Sequence, residues 1–130
     1  MEKGDTLEDT FPKILAKNAR LYGDRVAMRE KDLGIWRAYT WKEYYESVKF
    51  FSLGLISLGL EQGDKIAIVG DNSPEWVIAE LAAQSALAIP TGLYQDSLAE
   101  EFQALLNYMD VRFVVAEDQE QVDKLLSIKE

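Results

Sequence analysis

The sequence predicts an α/β fold, a helix and a hairpin followed by parallel βαβ units, and three observations carry that prediction. Short apolar runs at Lys65–Val69, Leu87–Pro90 and Arg112–Ala116 alternate with segments of helical period. Strands joined through helices pair in parallel, with right-handed crossovers. The runs Ile66-Ala67-Ile68-Val69 and Phe113-Val114-Val115 are continuously apolar, which suits a sheet covered on both faces. Finally, 130 residues, 48% hydrophobic and 28% charged, amount to one domain. Such a chain can bury roughly two-thirds of its unfolded surface without staples. Disorder is excluded as the main description.

The first helix is expected from Phe11 to Tyr22. Thr10 can cap it, Pro12 fits its first turn, and Gly23 can take a left-handed stop position. Ile14, Leu15 and Leu21 are spaced for one buried stripe. Arg25–Glu30 and Ile35–Tyr39 then flank Lys31-Asp32-Leu33-Gly34, the spacing of a hairpin. Thr40-Trp41-Lys42-Glu43 has the capping-box pattern, Thr followed three residues later by Glu. Behind it Tyr44, Val48, Phe51, Leu55 and Leu58 recur at helical spacing until Gly59. Gly54 inside that helix costs roughly 1 kcal/mol against Ala and suggests close packing there.

Gly63-Asp64 opens the strand at Lys65–Val69. Ser73-Pro74-Glu75 starts the next helix, which runs to about Ala86, with hydroxyl cap, proline and acid in their favoured places. Val77, Ile78, Leu81, Ala82 and Ala86 make it apolar over much of its circumference. Leu87–Pro90 is the second strand. Ser97-Leu98-Ala99-Glu100 reads as another capping box, before a stripe of Leu98, Phe102, Leu105, Leu106 and Met109. Arg112–Ala116 is the third strand, and Asp118–Ile128 a last amphipathic helix with Val122, Leu125 and Leu126.

Composition removes several kinds of chemistry. Fourteen basic against 23 acidic residues leave a net charge of −9, which repels phosphate backbones and argues against nucleic-acid binding. Trp36, Trp41 and Trp76 do not combine with basic residues into a stacking platform. Without Cys or His there is no thiolate, imidazole base or ordinary zinc site, and no disulfide. The polar start Met1-Glu2-Lys3-Gly4-Asp5 is unlike a secretion signal, and begins at a methionine as a natural start would. The longest apolar stretch, Phe50–Leu60, is too short to span a bilayer. A soluble, cytoplasmic protein is the expectation.

Positive evidence of catalysis is sparse. No glycine-rich phosphate loop joins a strand to a helix; Gly54 and Gly59 have suitable spacing but lie in or at the end of a helix, with Leu60 in place of Lys. Ligands of open α/β sheets bind beyond the carboxyl ends of the strands. Those ends are Gly70-Asp71-Asn72-Ser73, Thr91-Gly92-Leu93-Tyr94-Gln95-Asp96 and Glu117-Asp118. The first is the most suggestive, yet it also reads as a plain capped loop, and Asp71 and Glu75 would oppose an anion. Tyr94 and Gln95 either line a pocket or shape a loop. Glu117 and Asp118 after the last strand, with no Lys placed there, do not match a phosphoacceptor domain. No catalytic, cofactor-binding or metal-binding residue is assigned.

Several stretches nevertheless occur in a recognisable order. These are Gly23-Asp24-Arg25-Val26-Ala27, Tyr39-Thr40-Trp41-Lys42-Glu43-Tyr44, Gly63-Asp64-Lys65-Ile66-Ala67-Ile68 and Gly70-Asp71-Asn72-Ser73-Pro74-Glu75-Trp76. From about Thr10 onward the chain resembles the start of an AMP-forming acyl-CoA ligase, of the adenylate-forming superfamily. Arg29–Trp36 and Phe113–Gln121 resemble the bacterial long-chain fatty-acid ligases in particular. Tyr39–Tyr45 and the stretch around Ala86–Tyr94 match two family motifs regarded as structural. Gln95 departs from the Pro usual at that place in long-chain relatives. The family's phosphate loop, aromatic-Glu-Thr motif, ribose-binding Asp and catalytic Lys have no counterpart here.

The resemblance therefore implies that residues 1–130 form a single incomplete unit, the N-terminal part of an AMP-binding (adenylation) domain without catalytic motifs or C-terminal domain. The parent would activate a fatty acid with ATP to acyl-AMP and pass it to coenzyme A, using ATP, Mg²⁺ and coenzyme A. This stretch alone is expected to be inactive, to bind none of them and to self-associate. Peripheral contact with a membrane stays open. The alternative is a stand-alone, non-catalytic α/β binding or regulatory module.

Overall fold

The computed structural model describes residues 9–128. The polar opening at Met1–Asp5 lies outside them. Helix α1 (Phe11–Tyr22) leads into a hairpin of β1 (Val26–Asp32) and β2 (Ile35–Thr40). Then come α2 (Trp41–Ser57), β3 (Lys65–Val69), α3 (Pro74–Ser85), β4 (Ile89–Leu93), α4 (Ala99–Met109), β5 (Phe113–Ala116) and α5 (Gln119–Ser127). Strands β3, β4 and β5 form a parallel sheet in the order β4-β3-β5, pairing Ile66 with Pro90 and with Phe113. The expected α/β class and parallel pairing are what the fold contains.

Alternation along the strands divides the core into two layers. Ile66 of β3 and the half-buried Phe113 and Val115 of β5 face α1, α2 and α3, against Leu15, Tyr44, Val48, Leu55 and Leu81. Ala67, Val69 and Val114 face the other way, onto Phe102 and Leu106 of α4 and Leu125 of α5. Phe102 is fully buried, and burying a ring of that size contributes about 1.5–3 kcal/mol. Central β3 is covered on both faces, as its apolar run requires, whereas β5 is only half covered.

Backbone groups explain most of the differences from expectation. The hairpin loop is two residues, Leu33 and Gly34, with φ of 52° and 82°. Positive φ at both positions matches the strand twist and lets Lys31 and Asp32 join the ladder, so the four-residue loop is corrected. Gly23 is right-handed, not left-handed; its carbonyl instead accepts from Lys42 N–H at 3.1 Å. The second strand begins at Ile89 rather than Leu87 because Leu87 and Ala88 are spent on closing α3. Leu87 takes φ 63°, its N–H reaches the Gln84 carbonyl, and Ala88 N–H reaches Ala83.

Other corrections concern side chains. In the α1 stripe only Leu15 is buried, while Ile14 and Leu21 are exposed. Along α2, Phe51 and Leu58 are exposed and Ser52 takes a buried place. A Cβ at Gly54 would meet nothing within 4 Å, so close packing does not explain that glycine. The cap of α4 lies one residue later than expected, at Leu98, whose N–H donates to Glu101 Oε1 at 2.7 Å. Ser97 does not cap, and Leu98, Leu105 and Leu126 are exposed.

Candidate functional site

Strand order fixes where a crevice can form. From β3 the chain crosses through α3 to β4 on one side, then returns through α4 to β5 on the other. The carboxyl ends of β3 and β5 are thus the place where neighbouring connections diverge, which is where open sheets leave a cleft. A cleft of about 550 Å³ lies there. Its floor is Ile68, Val69, Val115 and Ala116, with Phe51 of α2 and Trp76 of α3 on its walls. Glu30 of the hairpin, Asp71, Glu75 and Glu117 supply its charge, and no Lys or Arg among the described residues lines it.

Each side chain is placed by local structure. Ser73 Oγ accepts from Trp76 N–H at 3.3 Å, so the serine is engaged as the cap of α3. Glu117 crosses from the end of β5 and accepts from Asp71 N–H. That crossing requires Gly70, because a Cβ there would come 2.8 Å from the Glu117 Cβ. Asp71 Oδ1 in turn accepts from Gln95 Nε2 at 2.7 Å. The Tyr39 hydroxyl lies 3.5 Å from Glu30 Oε1. Burial holds that phenol above its ordinary ionisation range, and the charges of Glu75 and Glu30 push the same way.

The sequence-derived candidates thus meet in part. Asp71, Asn72, Ser73, Glu75 and Glu117 converge on the cleft, while Tyr94 and Gln95 border a second, shallow groove between the ends of β3 and β4. Tyr94 is 72% exposed. Gly54 and Gly59 sit inside α2 and just past its end. Glu30 and Phe51 were not legible as site residues, because nothing local signals that a hairpin and α2 reach the sheet's end. Lys124, which ties α5 to the β4–α4 loop, carried no signal either.

Four carboxylates with no cationic partner among the described residues do not fit the phosphates of ATP or coenzyme A, since like charges repel most strongly where water is thinned. Among the described residues no group of three or more acidic side chains could hold a metal ion. No helix there is long and apolar enough to cross a membrane.

The sequence model of the AMP-binding enzyme family matches residues 15–130. Long-chain-fatty-acid–CoA ligase ACSBG2 of Xenopus laevis is 31% identical over 121 residues, covering 93% of this chain and 16% of that protein. Long-chain-fatty-acid–CoA ligase ACSBG1 of Bos taurus is 34% identical over 123 residues, 95% of this chain and 16% of that one. The chain therefore spans about one-sixth of the length of these relatives. Among solved structures, VinN superposes with a TM-score of 0.86 at 21% identity, over 96% of this chain and 32% of that one. The anthranilate CoA ligase AuaEII, in complex with anthranoyl-AMP, gives 0.83 at 21%, over 98% and 24%. The N-terminal subdomain of NpsA from Klebsiella oxytoca gives 0.75 at 25%, over 84% and 28%.

Proposed function

This chain belongs to the AMP-binding enzyme family, and from that premise we propose that it is the N-terminal part of the AMP-binding domain of a long-chain-fatty-acid–CoA ligase. The observation that carries the reading is the collinear likeness, about one-third identity over nearly the whole chain, to relatives bearing that name. The parent activates a fatty acid with ATP to acyl-AMP and transfers it to coenzyme A. Residues 1–130 contribute a wall of its large domain and carry out no chemical step themselves. A cytoplasmic location belongs to the same reading.

Two experiments bear on this. If the reading frame extends beyond Glu130, the longer product should release pyrophosphate from ATP when given a long-chain fatty acid, then form the thioester. Activation of acetate or an amino acid, but no long-chain acid, would overturn the substrate while leaving the family. Large side chains such as Phe50, Leu53, Leu58 and Tyr108 are more than half exposed, so the isolated chain should self-associate to cover them. A monomer in sedimentation at high concentration would count against that.

A further inference from the structure

We infer that the three loops at the carboxyl end of the sheet form one locked rim and open together or not at all. The β5–α5 loop reaches the β3–α3 loop through Glu117, whose carboxylate accepts from Asp71 N–H. The β3–α3 loop reaches the β4–α4 loop through Asp71, which accepts from Gln95 Nε2 at 2.7 Å. The β4–α4 loop is held in turn by Lys124 of α5, which donates to the carbonyls of Gln95 at 2.7 Å and Ser97 at 3.0 Å. One turn and a half of α5 joins Lys124 back to Glu117, and the ring is closed.

Packing supports this independently of the hydrogen bonds. Glu117 lies across Gly70, and the Trp76 ring lies across Gly92, where a Cβ would come within 2.9 Å of the indole. Both strand ends thus lack a side chain where a neighbouring loop or helix presses in. Lys124 is itself seated over the Phe102 ring, 5.2 Å from its centroid, which fixes the ammonium against the fully buried centre of that layer. Because Glu117 also lines the β3–β5 cleft, the ring governs how far that cleft opens. Lys124 acts as a positioning residue, through the loops it holds.

The test is amide hydrogen exchange on the 130-residue chain, read at amides that the substituted residue does not touch. Lys124→Met keeps the stem over Phe102 and removes the donors. It should speed exchange at Asp71, whose amide pairs with Glu117, about fivefold, the scale of one net hydrogen bond. Glu117→Ala should speed Ser97, whose amide pairs with the Tyr94 carbonyl, by a similar factor. Lys124→Arg should restore the wild-type rate at Asp71. Gln95→Ala removes one exposed contact and should speed exchange at Gln121, whose amide pairs with Asp118 Oδ1 in the β5–α5 loop that the Gln95 side chain does not touch, which decides the matter if another variant does not fold. Loosening confined to the loop each residue touches would overturn the inference.

Discussion

Gly70 and Gly54 make opposite demands on a methyl group. At Gly70 the obstacle is the Glu117 Cβ at 2.8 Å, an atom close to backbone rather than a flexible tip. Gly70→Ala should therefore cost about 1–3 kcal/mol in chemical denaturation, the usual range for overpacking. Gly54 faces open space inside a helix, so Gly54→Ala should add about 1 kcal/mol. The sequence suggested close packing at Gly54 and said nothing of Gly70, because one residue's neighbours across a fold leave no local trace. Tyr44 gives a pH signature. Burial, reinforced by the charge of Glu80, raises the ionisation of its hydroxyl above the ordinary phenol range. The stability tied to the neutral phenol is complete below about pH 10 and is lost as pH climbs beyond it. Tyr44→Phe should flatten the alkaline limb of a stability–pH profile, and an unchanged limb would contradict this assignment.

At the scale of elements, legibility followed the locality of the cause. Both halves of the Thr40 box are made, Glu43 N–H to Thr40 Oγ1 at 3.1 Å and Thr40 N–H to Glu43 Oε1 at 2.8 Å. All the bonding partners lie within four residues, so the pattern could be read from the sequence. Thr40→Ala should cost about 1 kcal/mol in denaturation, while Ser97→Ala, at the misplaced cap of α4, should cost much less. Equal costs would mean that Ser97 caps after all. Helix exits were harder. Gly59 announces the end of α2, but Leu87 and Asp110 take φ of 63° and 57° without being glycine. A leucine in the left-handed region is not foreseeable from propensity. Its consequence, a strand starting two residues late, was missed with it. The buried stripes erred in one direction, since helical spacing marks which residues share a face and not whether anything covers it. Ile14, Leu21 and Leu105 share a face with buried neighbours and remain exposed.

At the scale of the molecule, order of motifs conveyed more than any one site. Strand–helix alternation was enough for the parallel sheet, because crossovers constrain topology. The cleft between β3 and β5 depends on strand order, β4-β3-β5, which periodicity does not specify; its loops were visible and their convergence was not. The charge of that cleft argues directly about function. Ligase chemistry needs cations or oriented N–H groups around phosphates, and here Glu30, Asp71, Glu75 and Glu117 line the cleft with no Lys or Arg among them. That charge supports the proposal that this chain is a wall of a nucleotide-activating enzyme and not itself a nucleotide site. Calorimetric titration of the 130-residue chain with Mg-ATP tests that most directly. No heat of binding and no protection of the Asp71–Ser73 loop are expected; saturable binding at micromolar ATP, shifting the amides of that loop, would contradict the proposal.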